Sequence, residues 1–126
     1  MVFWITGKSG SGKTTLAARL AKMLRRHPER YGAPIILDGD EVRGYFPDSG
    51  FTDKKREEHI MRIARFAAIL EKQGYTILIA LISPKKIWRQ KARALFEKSE
   101  LLYLSGGTLW RGTKYEVPDQ EEFHSK

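Results

Sequence analysis

The sequence contains no cysteine among its 126 residues, which excludes both a disulfide-stabilised fold and a zinc site built on thiolates. It also has no apolar run close to the roughly 20 residues that a membrane-spanning helix needs. Residues 1–6 are apolar, but they lack the basic segment and the cleavage signal of a secretory leader. These absences predict a cytoplasmic protein with no membrane partner.

Acidic residues are scarcer than basic ones, because 15 Asp and Glu stand against 23 Lys and Arg, for a formal net charge of +8. This excess favours anionic ligands such as nucleotides, phosphates, sulfates or nucleic acid, although it is equally typical of a well-solvated basic surface. The length fits one compact domain over residues 1–126.

Short apolar runs alternate with helical patterns along the chain. Strands are predicted at 2–6, 34–37, 75–82 and 101–104, and helices at 13–26, 53–73 and 87–98, with a short helix at 41–46. This alternation predicts an α/β fold with a mostly parallel central sheet and helices on both faces. Residues 47–50 have loop composition, and residues 105–126 are expected to form an irregular tail.

Two of the predicted helices have clear apolar faces. In the first helix the face consists of Leu16, Leu20, Met23 and Leu24. The long helix is capped by Thr52 or Asp53 and stopped by Gly74, and its inner stripe is Ile60, Ile63, Ala64, Ala67 and Leu70.

Residues 7–14 match the phosphate-binding motif G-x-x-x-x-G-K-[ST] in full, between a predicted strand and an amphipathic helix. The glycines let the loop turn its N–H groups toward phosphate oxygens, and the helix N-terminus adds the positive end of its dipole. We expect Lys13 to reach the β- and γ-phosphates of ATP as a catalytic group, and the Thr14 hydroxyl to bind Mg²⁺. The predicted fold is therefore a three-layer sandwich of the P-loop NTPase type. The predicted ATP-binding residues are Gly7, Lys8, Ser9, Gly10, Ser11, Gly12, Lys13, Thr14 and Thr15.

A second group of polar residues, Asp38, Asp40 and Arg43, follows the second predicted strand. Ligands of open parallel sheets bind beyond the carboxyl ends of the strands, so this group is expected to face the same crevice as the P-loop. A carboxylate there can take a proton from a hydroxyl acceptor or orient Mg²⁺ through water, and an arginine can bind an anionic acceptor. The structural alternative is that Asp38 forms a turn and Asp40 caps a helix.

Weaker candidates lie at the next strand end and at the start of the long helix. Ser83 could offer its hydroxyl or its backbone to an acceptor, or simply end the strand as a Ser-Pro turn. Phe51 is an apolar residue in a polar loop, so it either packs or stacks on a base. Arg56 and His59 lie three residues apart on one helix face, where a solvated basic helix start is the alternative.

The order and spacing of these motifs resemble the adenylylsulfate kinase family over about residues 2–93. The resemblance rests on the P-loop, on residues 37–43, on Gly50 and Phe51 before Arg56, and on residues 82–84. Members of this family phosphorylate the 3′-hydroxyl of adenosine 5′-phosphosulfate (APS). The resemblance therefore implies ATP, Mg²⁺ and a small anionic nucleotide as partners.

The same resemblance implies roles for individual residues. Asp40 corresponds to the base that faces the acceptor hydroxyl, with Asp38 beside it. The resemblance also implies that Arg43 and Arg56 hold the acceptor nucleotide and that Phe51 stacks on its adenine. It implies that Ile82 and Ser83 line the acceptor pocket. Ser83 occupies the place of a serine that is phosphorylated in some members.

This sequence departs from the family pattern in three places. His59 stands where Asn is usual, and Lys85 where an aromatic residue is usual. Between the fourth strand and a stretch at 112–118 that resembles the family's terminal run, the family's extra helix and basic lid are replaced by a few residues. Lids exclude water and complete catalytic sites. Trp110, Arg111 or Lys114 could take over part of this role.

The sequence leaves two other functions open. One is a P-loop kinase that acts on another small phosphorylated or sulfated hydroxyl compound, or on a polynucleotide 5′-end. The other is a non-catalytic basic module that senses ATP or binds nucleic acid, as the basic clusters at 54–56 and 85–93 suggest. Nucleic acid is the less favoured partner, because the Asp38 and Asp40 pair would then have no role. A homodimer is compatible with the sequence.

Overall fold

A computed structural model describes residues 1–46, 50–109 and 114–124 of the chain. Residues 47–49 of the predicted loop at 47–50 lie outside the described residues, as do Trp110 and Arg111. Within the described part, four strands form one sheet: β1 (Val2–Gly7), β2 (Pro34–Asp38), β3 (Thr76–Ala80) and β4 (Ser99–Leu104). Their order is β2-β3-β1-β4 and every pairing is parallel. The predicted parallel α/β sheet is confirmed.

The two faces of the sheet carry separate hydrophobic clusters. Because side chains alternate along a strand, Val2 and Trp4 of β1 point to one face while Ile5 points to the other. The first face packs against α4 (Asp53–Lys72) and α5 (Lys86–Arg93), and the second packs against α1 (Lys13–Leu24). The sheet is therefore the middle layer of a three-layer sandwich.

Three short helices complete the described elements: α2 (Pro28–Tyr31), α3 (Gly39–Gly44) and α6 (Gln120–His124). None of the helices within the described residues has the length and apolar character that would let it cross a membrane.

The long helix α4 follows its sequence signals closely. The Thr52 hydroxyl accepts a hydrogen bond from the Lys55 N–H and caps its first turn. Gly74 follows its end with a φ of 95°, a left-handed conformation that favours glycine. Its inner stripe is buried as predicted, with Leu70 partly buried at the edge of the core.

The predicted inner face of α1 is wrong at one residue. Met23 is 59% exposed, whereas Ala17, Ala21 and Leu24 are buried. A narrow alanine face lets the helix lie close to the sheet, so the larger Leu16 and Leu20 are only partly buried at its margins.

Helix α5 ends at Arg93, five residues before its predicted end at 98. The chain turns there because Phe96 enters the core, where it is 5% exposed and its ring centroid lies 6.2 Å from that of Trp4. The buried Glu71 carboxylate then accepts hydrogen bonds from the Glu97 and Lys98 N–H groups. These tertiary contacts override the helical pattern of the sequence.

The tail is more ordered than the sequence indicates. Residues 114–124 run across α5 and end in α6, so the predicted irregular tail is wrong over Gln120–His124. The reason is a buried ion pair between Arg89 of α5 and Glu122 of α6, 33 residues apart in the chain.

Candidate active site

One crevice of about 510 Å³ lies at the carboxyl ends of the strands, a volume typical of small-molecule sites. Four parts of the chain line it: residues 9, 10 and 12–15 of the P-loop, residues 38–40 and 43 after β2, residues 51, 56, 59 and 60 at the start of α4, and residues 80–84 after β3. The structure thus brings the phosphate loop and every predicted acceptor residue to one cavity. Gly7, Lys8 and Ser11 of the motif lie outside its lining.

The P-loop joins β1 to α1 in the conformation that its glycines permit. Gly12 has a φ of 99° immediately before the first helical residue, Lys13. A Cβ on Gly7 would lie 2.6 Å from the Leu104 carbonyl oxygen, so the loop can approach β4 only with glycine there. On the outer side the Thr108 N–H donates to the Ser9 carbonyl at 2.9 Å, which ties the start of the tail to the loop.

Lys13 crosses the loop and donates to the Lys8 carbonyl at 2.8 Å. Burial lowers the pKa of its ammonium group, while the charges of Asp40 and Asp38 oppose that shift. The same two carboxylates that follow β2 therefore act electrostatically on the P-loop lysine, which couples the two halves of the crevice.

Asp38 is fully engaged by its neighbours. One carboxylate oxygen accepts the Thr14 hydroxyl at 2.6 Å, and the other accepts the N–H groups of Asp40 and Glu41 at 2.9 and 3.3 Å. It is therefore Asp38, and not Asp40, that caps helix α3. Since the Thr14 proton points to Asp38, the lone pairs of the Thr14 oxygen are left for a cation.

Asp40 differs from Asp38 in having an available side chain. The residue is exposed and lines the crevice, and within the described residues its carboxylate oxygens accept no hydrogen bond. This contrast was not visible in the sequence, where the two carboxylates look equivalent. Asp38 therefore holds Thr14 and the first turn of α3 in place, whereas the carboxylate of Asp40 is available to receive a proton.

Arg43 and Phe51 form one corner of the crevice. The guanidinium carbon of Arg43 lies 5.1 Å from the centroid of the Phe51 ring, and its Nη1 donates to the Gly50 carbonyl at 3.1 Å. Phe51 is nevertheless 59% exposed, so much of its surface can meet a ligand. Arg56 lines the same side of the crevice from the first turn of α4.

His59 is the buried member of this group, with 2% of its surface exposed. Its Nε2 lies 3.1 Å from the Gly39 carbonyl oxygen. A carbonyl can only accept, so Nε2 carries the hydrogen and Nδ1 offers a lone pair. Nδ1 is buried without a hydrogen-bond partner among the described residues, although the residue lines the crevice. A ligand that brings a donor to Nδ1 would remove the cost of this unpaired acceptor.

The pKa of His59 is lowered to about 4, chiefly by burial and next by the positive charge of Arg43. The bond to Gly39 and the charge of Asp40 raise it, while Arg62 lowers it. The unfolded chain, with a histidine pKa near 6.5, binds more protons than the folded chain between about pH 4 and 6.5. His59 therefore lowers stability as the pH falls through this range.

Replacement of His59 by Asn should remove this pH dependence. Between pH 7 and 4.5 we expect wild type to lose about 1–2 kcal/mol more unfolding free energy than His59→Asn, a value discounted for water in the crevice. Urea unfolding at several pH values measures the difference. The exposed His27 provides the control: His27→Asn should retain the wild-type slope, and a wild-type slope in His59→Asn would contradict the assignment.

Ser83 does not present its hydroxyl to the crevice as the sequence suggested. The residue is 1% exposed, and its Oγ accepts from Trp4 Nε1 at 3.0 Å and donates to Thr6 Oγ1 at 2.9 Å. Its backbone lines the cavity with a φ of 41°, an unusual value for a residue other than glycine. Thr6 and Trp4, which hold Ser83 in place, were not predicted from the sequence. Nothing in the sequence around a strand residue shows that its polar group will bind a distant part of the protein.

The basic clusters that suggested nucleic-acid binding are largely neutralised. Arg89 is buried in its pair with Glu122, and Arg93 is buried as well. Four of the five lysines in the clusters make ion pairs with acidic neighbours, namely Lys55 with Glu58, Lys85 with Asp53, Lys86 with Asp119 and Lys91 with Glu57. Pairing leaves fewer positive charges for a phosphate backbone and weakens that alternative.

A parallel sheet with a phosphate loop after its first strand, and carboxylates at the end of a neighbouring strand, defines a P-loop NTPase fold. The profile of the adenylylsulphate kinase family matches residues 1–106. The chain belongs to this family. It is 43% identical over 95 residues to the adenylyl-sulfate kinase of Paraburkholderia xenovorans, which covers 75% of this chain and 51% of the relative.

Two solved structures of the Mycobacterium tuberculosis APS kinase agree in fold. A cysteine-to-alanine mutant aligns with a TM-score of 0.78 and 28% identity, over 94% of this chain and 80% of that one. A complex with AMPPNP and APS aligns with a TM-score of 0.72 and 30% identity, over 81% of this chain and 60% of that one. The chain spans about half the length of the curated adenylyl-sulfate kinases it matches.

Proposed function

We propose that the chain is a Mg·ATP-dependent kinase that transfers the γ-phosphoryl group to the 3′-hydroxyl of APS or a similar small nucleotide. The observation that carries the proposal is the shared crevice, in which a P-loop lysine faces an available carboxylate, two arginines and an exposed aromatic ring. The family membership supports it, as does the relative solved with AMPPNP and APS.

The phosphate side of the crevice fits ATP and Mg²⁺. Within the described residues no cluster of three acidic or histidine side chains could hold a metal alone. Mg²⁺ is usually bound by one or two protein oxygens together with substrate phosphates and waters, and the Thr14 oxygen is oriented by Asp38 for that purpose. A bound Mg²⁺ would neutralise charge that develops on the phosphates. Lys13 would supply a second positive charge to the γ-phosphate.

The opposite side fits an anionic nucleotide. Arg43 and Arg56 can bind phosphate or sulfate oxygens, while the exposed part of Phe51 can meet a base. The unpaired Nδ1 of His59 calls for a hydrogen-bond donor from the same ligand. A neutral sugar would contact fewer of these groups, because it has neither an anionic group for the arginines nor a base for Phe51. A nucleotide acceptor therefore fits the site best.

In the proposed reaction the acceptor oxygen attacks the γ-phosphorus as the bond to the β,γ-bridging oxygen breaks. ADP leaves, and the hydroxyl proton passes to Asp40, whose carboxylate oxygens are available in the crevice. Asp38 positions Thr14 and helix α3, and so acts on the reaction through them. Most of the rate enhancement would come from positioning and electrostatics, as in phosphoryl transfer generally.

An acceptor comparison tests this proposal. Initial rates with Mg·ATP would be measured for APS, for small phosphorylated or sulfated hydroxyl compounds without a base, and for an oligonucleotide with a free 5′-hydroxyl. We expect kcat/KM for APS to exceed the others by at least about 100-fold, because APS combines an anionic group for Arg43 and Arg56 with a base for Phe51 in one small ligand. Equal or faster transfer to another class would assign a different acceptor.

Three further expectations stay predictions. They are a single domain over residues 1–126, a cytoplasmic location and a homodimer. Light scattering of the purified chain measures the last directly.

A further inference from the structure

Residues 114–124, here called the C-terminal anchor, bind the segment at 82–86, here called the acceptor wall. Residues 82–84 line the crevice. The anchor itself does not line it within the described residues. It contacts the wall directly through Glu116 and Asp119, and indirectly through two buried residues, Arg89 and Thr6, which points to a role in shaping the crevice from behind.

The strongest contact is the Arg89–Glu122 ion pair, in which both side chains are 0% exposed. Arg89 donates from Nε and Nη2 to the two Glu122 carboxylate oxygens at 2.6 and 2.9 Å. Its remaining Nη1 donates to the Ser83 carbonyl at 2.7 Å. The two-point pairing fixes the guanidinium plane, so Glu122 aims Arg89 at the wall.

Tyr115 reaches the wall by a second route. Its hydroxyl lies 2.6 Å from Thr6 Oγ1, and Thr6 donates its only hydroxyl hydrogen to the Ile82 carbonyl at 2.6 Å. Tyr115 is therefore the donor to Thr6, and Ser83 Oγ donates to the same oxygen. Burial raises the pKa of Tyr115 to about 12, which keeps this donor protonated. Each of these three hydroxyl groups therefore has a compatible hydrogen-bond partner.

Glu116 provides a third connection through its backbone and side chain. Its N–H donates to the Pro84 carbonyl at 2.7 Å, and its carboxylate accepts from the Lys86 N–H at 2.9 Å. The wall contains the positive φ of Ser83, a conformation that persists only when surrounding contacts impose it. The anchor supplies such contacts on both sides of Ser83.

We propose that the C-terminal anchor is a positioning element that holds the acceptor wall in the shape that receives the phosphoryl acceptor, with Tyr115 and Glu122 as its positioning residues. The inference rests on the proposed function for the identity of the ligand, but not for the contact between anchor and wall. The anchor, which follows the region between β4 and residue 114, would then have a function in shaping the acceptor side of the crevice.

The test compares Tyr115→Phe with Tyr103→Phe in the full chain. The two rings are stacked with centroids 5.9 Å apart. Only the Tyr115 hydroxyl, however, takes part in the hydrogen bonds that lead through Thr6 to the Ile82 carbonyl. Tyr115→Phe should raise KM for APS by about fivefold to tenfold, the size of one hydrogen bond, and change KM for ATP less than about twofold. Tyr103→Phe should leave both values within about twofold of wild type.

Native-state hydrogen exchange provides a readout that does not depend on turnover. In Tyr115→Phe and Glu122→Gln the amides of Lys86 and Glu116, which form the hydrogen bonds between wall and anchor, should exchange at least about fivefold faster, while the amides of α1 keep their wild-type rates. The exposed Glu121 gives the control Glu121→Gln, which should change neither set.

Two results would overturn the inference. One is unchanged exchange at the wall in both variants, and the other is an equal loss of ATP and APS affinity, which would indicate general loosening. If the wild-type chain phosphorylates no acceptor, the proposed function fails. The exchange comparison then still decides whether the anchor holds the wall.

Discussion

Replacement of Lys13 by Met should lower kcat for phosphoryl transfer by about 10³-fold, one of the two largest losses expected from a single change in the chain. The ammonium group is half-buried between the P-loop and the Asp38 and Asp40 carboxylates. Lys8, the other lysine of the P-loop, is not part of the crevice lining. A coupled ADP-release assay with saturating Mg·ATP and APS measures the loss.

The matched control is Lys22→Met on the same helix. Lys22 is exposed in the last turn of α1, on the side of the domain away from the crevice, and its replacement should leave kcat within about twofold of wild type. A Lys13→Met enzyme with near-normal turnover would show that the P-loop binds phosphate without serving catalysis.

Replacement of Asp40 by Asn should lower kcat by about 10²- to 10⁴-fold, the usual contribution of a general base. The change keeps the size of the side chain but removes its ability to take a proton. Because the Asp40 side chain makes no hydrogen bond among the described residues, the fold should be preserved. KM for ATP should stay within about threefold, since P-loop contacts are unaffected.

The exposed Glu41 on the next position of α3 provides the comparison. Glu41→Gln removes one negative charge from the same helix turn without touching the crevice lining, so it should cost less than about threefold. If Asp40→Asn and Glu41→Gln lower kcat equally, the loss reflects local charge rather than proton transfer, and Asp40 is not the base.

Features that depend on local residues could be predicted from the sequence. The P-loop needs glycines at fixed positions between a strand and a helix, and Gly12 adopts the left-handed conformation that this implies. Thr52 and Gly74 delimit α4 through their own backbone chemistry. Because the carboxyl ends of parallel strands meet at one edge, motifs far apart in the chain could also be assigned to one crevice.

Features that depend on distant contacts could not be predicted. Arg89 belongs to a run of basic residues that looks solvated, and only its partner 33 residues later makes it a buried support of the wall. The early end of α5 depends on where Phe96 finds space in the core. Asp38 and Asp40 have the same chemistry, and only the position of Thr14 shows which carboxylate is occupied.

The most direct test of the proposed activity is transfer of label from [γ-³²P]ATP to APS by the purified chain with Mg²⁺. We expect one labelled product that carries the phosphoryl group on the 3′-oxygen of APS, and we expect it to be lost in Lys13→Met and Asp40→Asn. Label that appears only as orthophosphate, or on no acceptor at all while ATP binds normally, would contradict it.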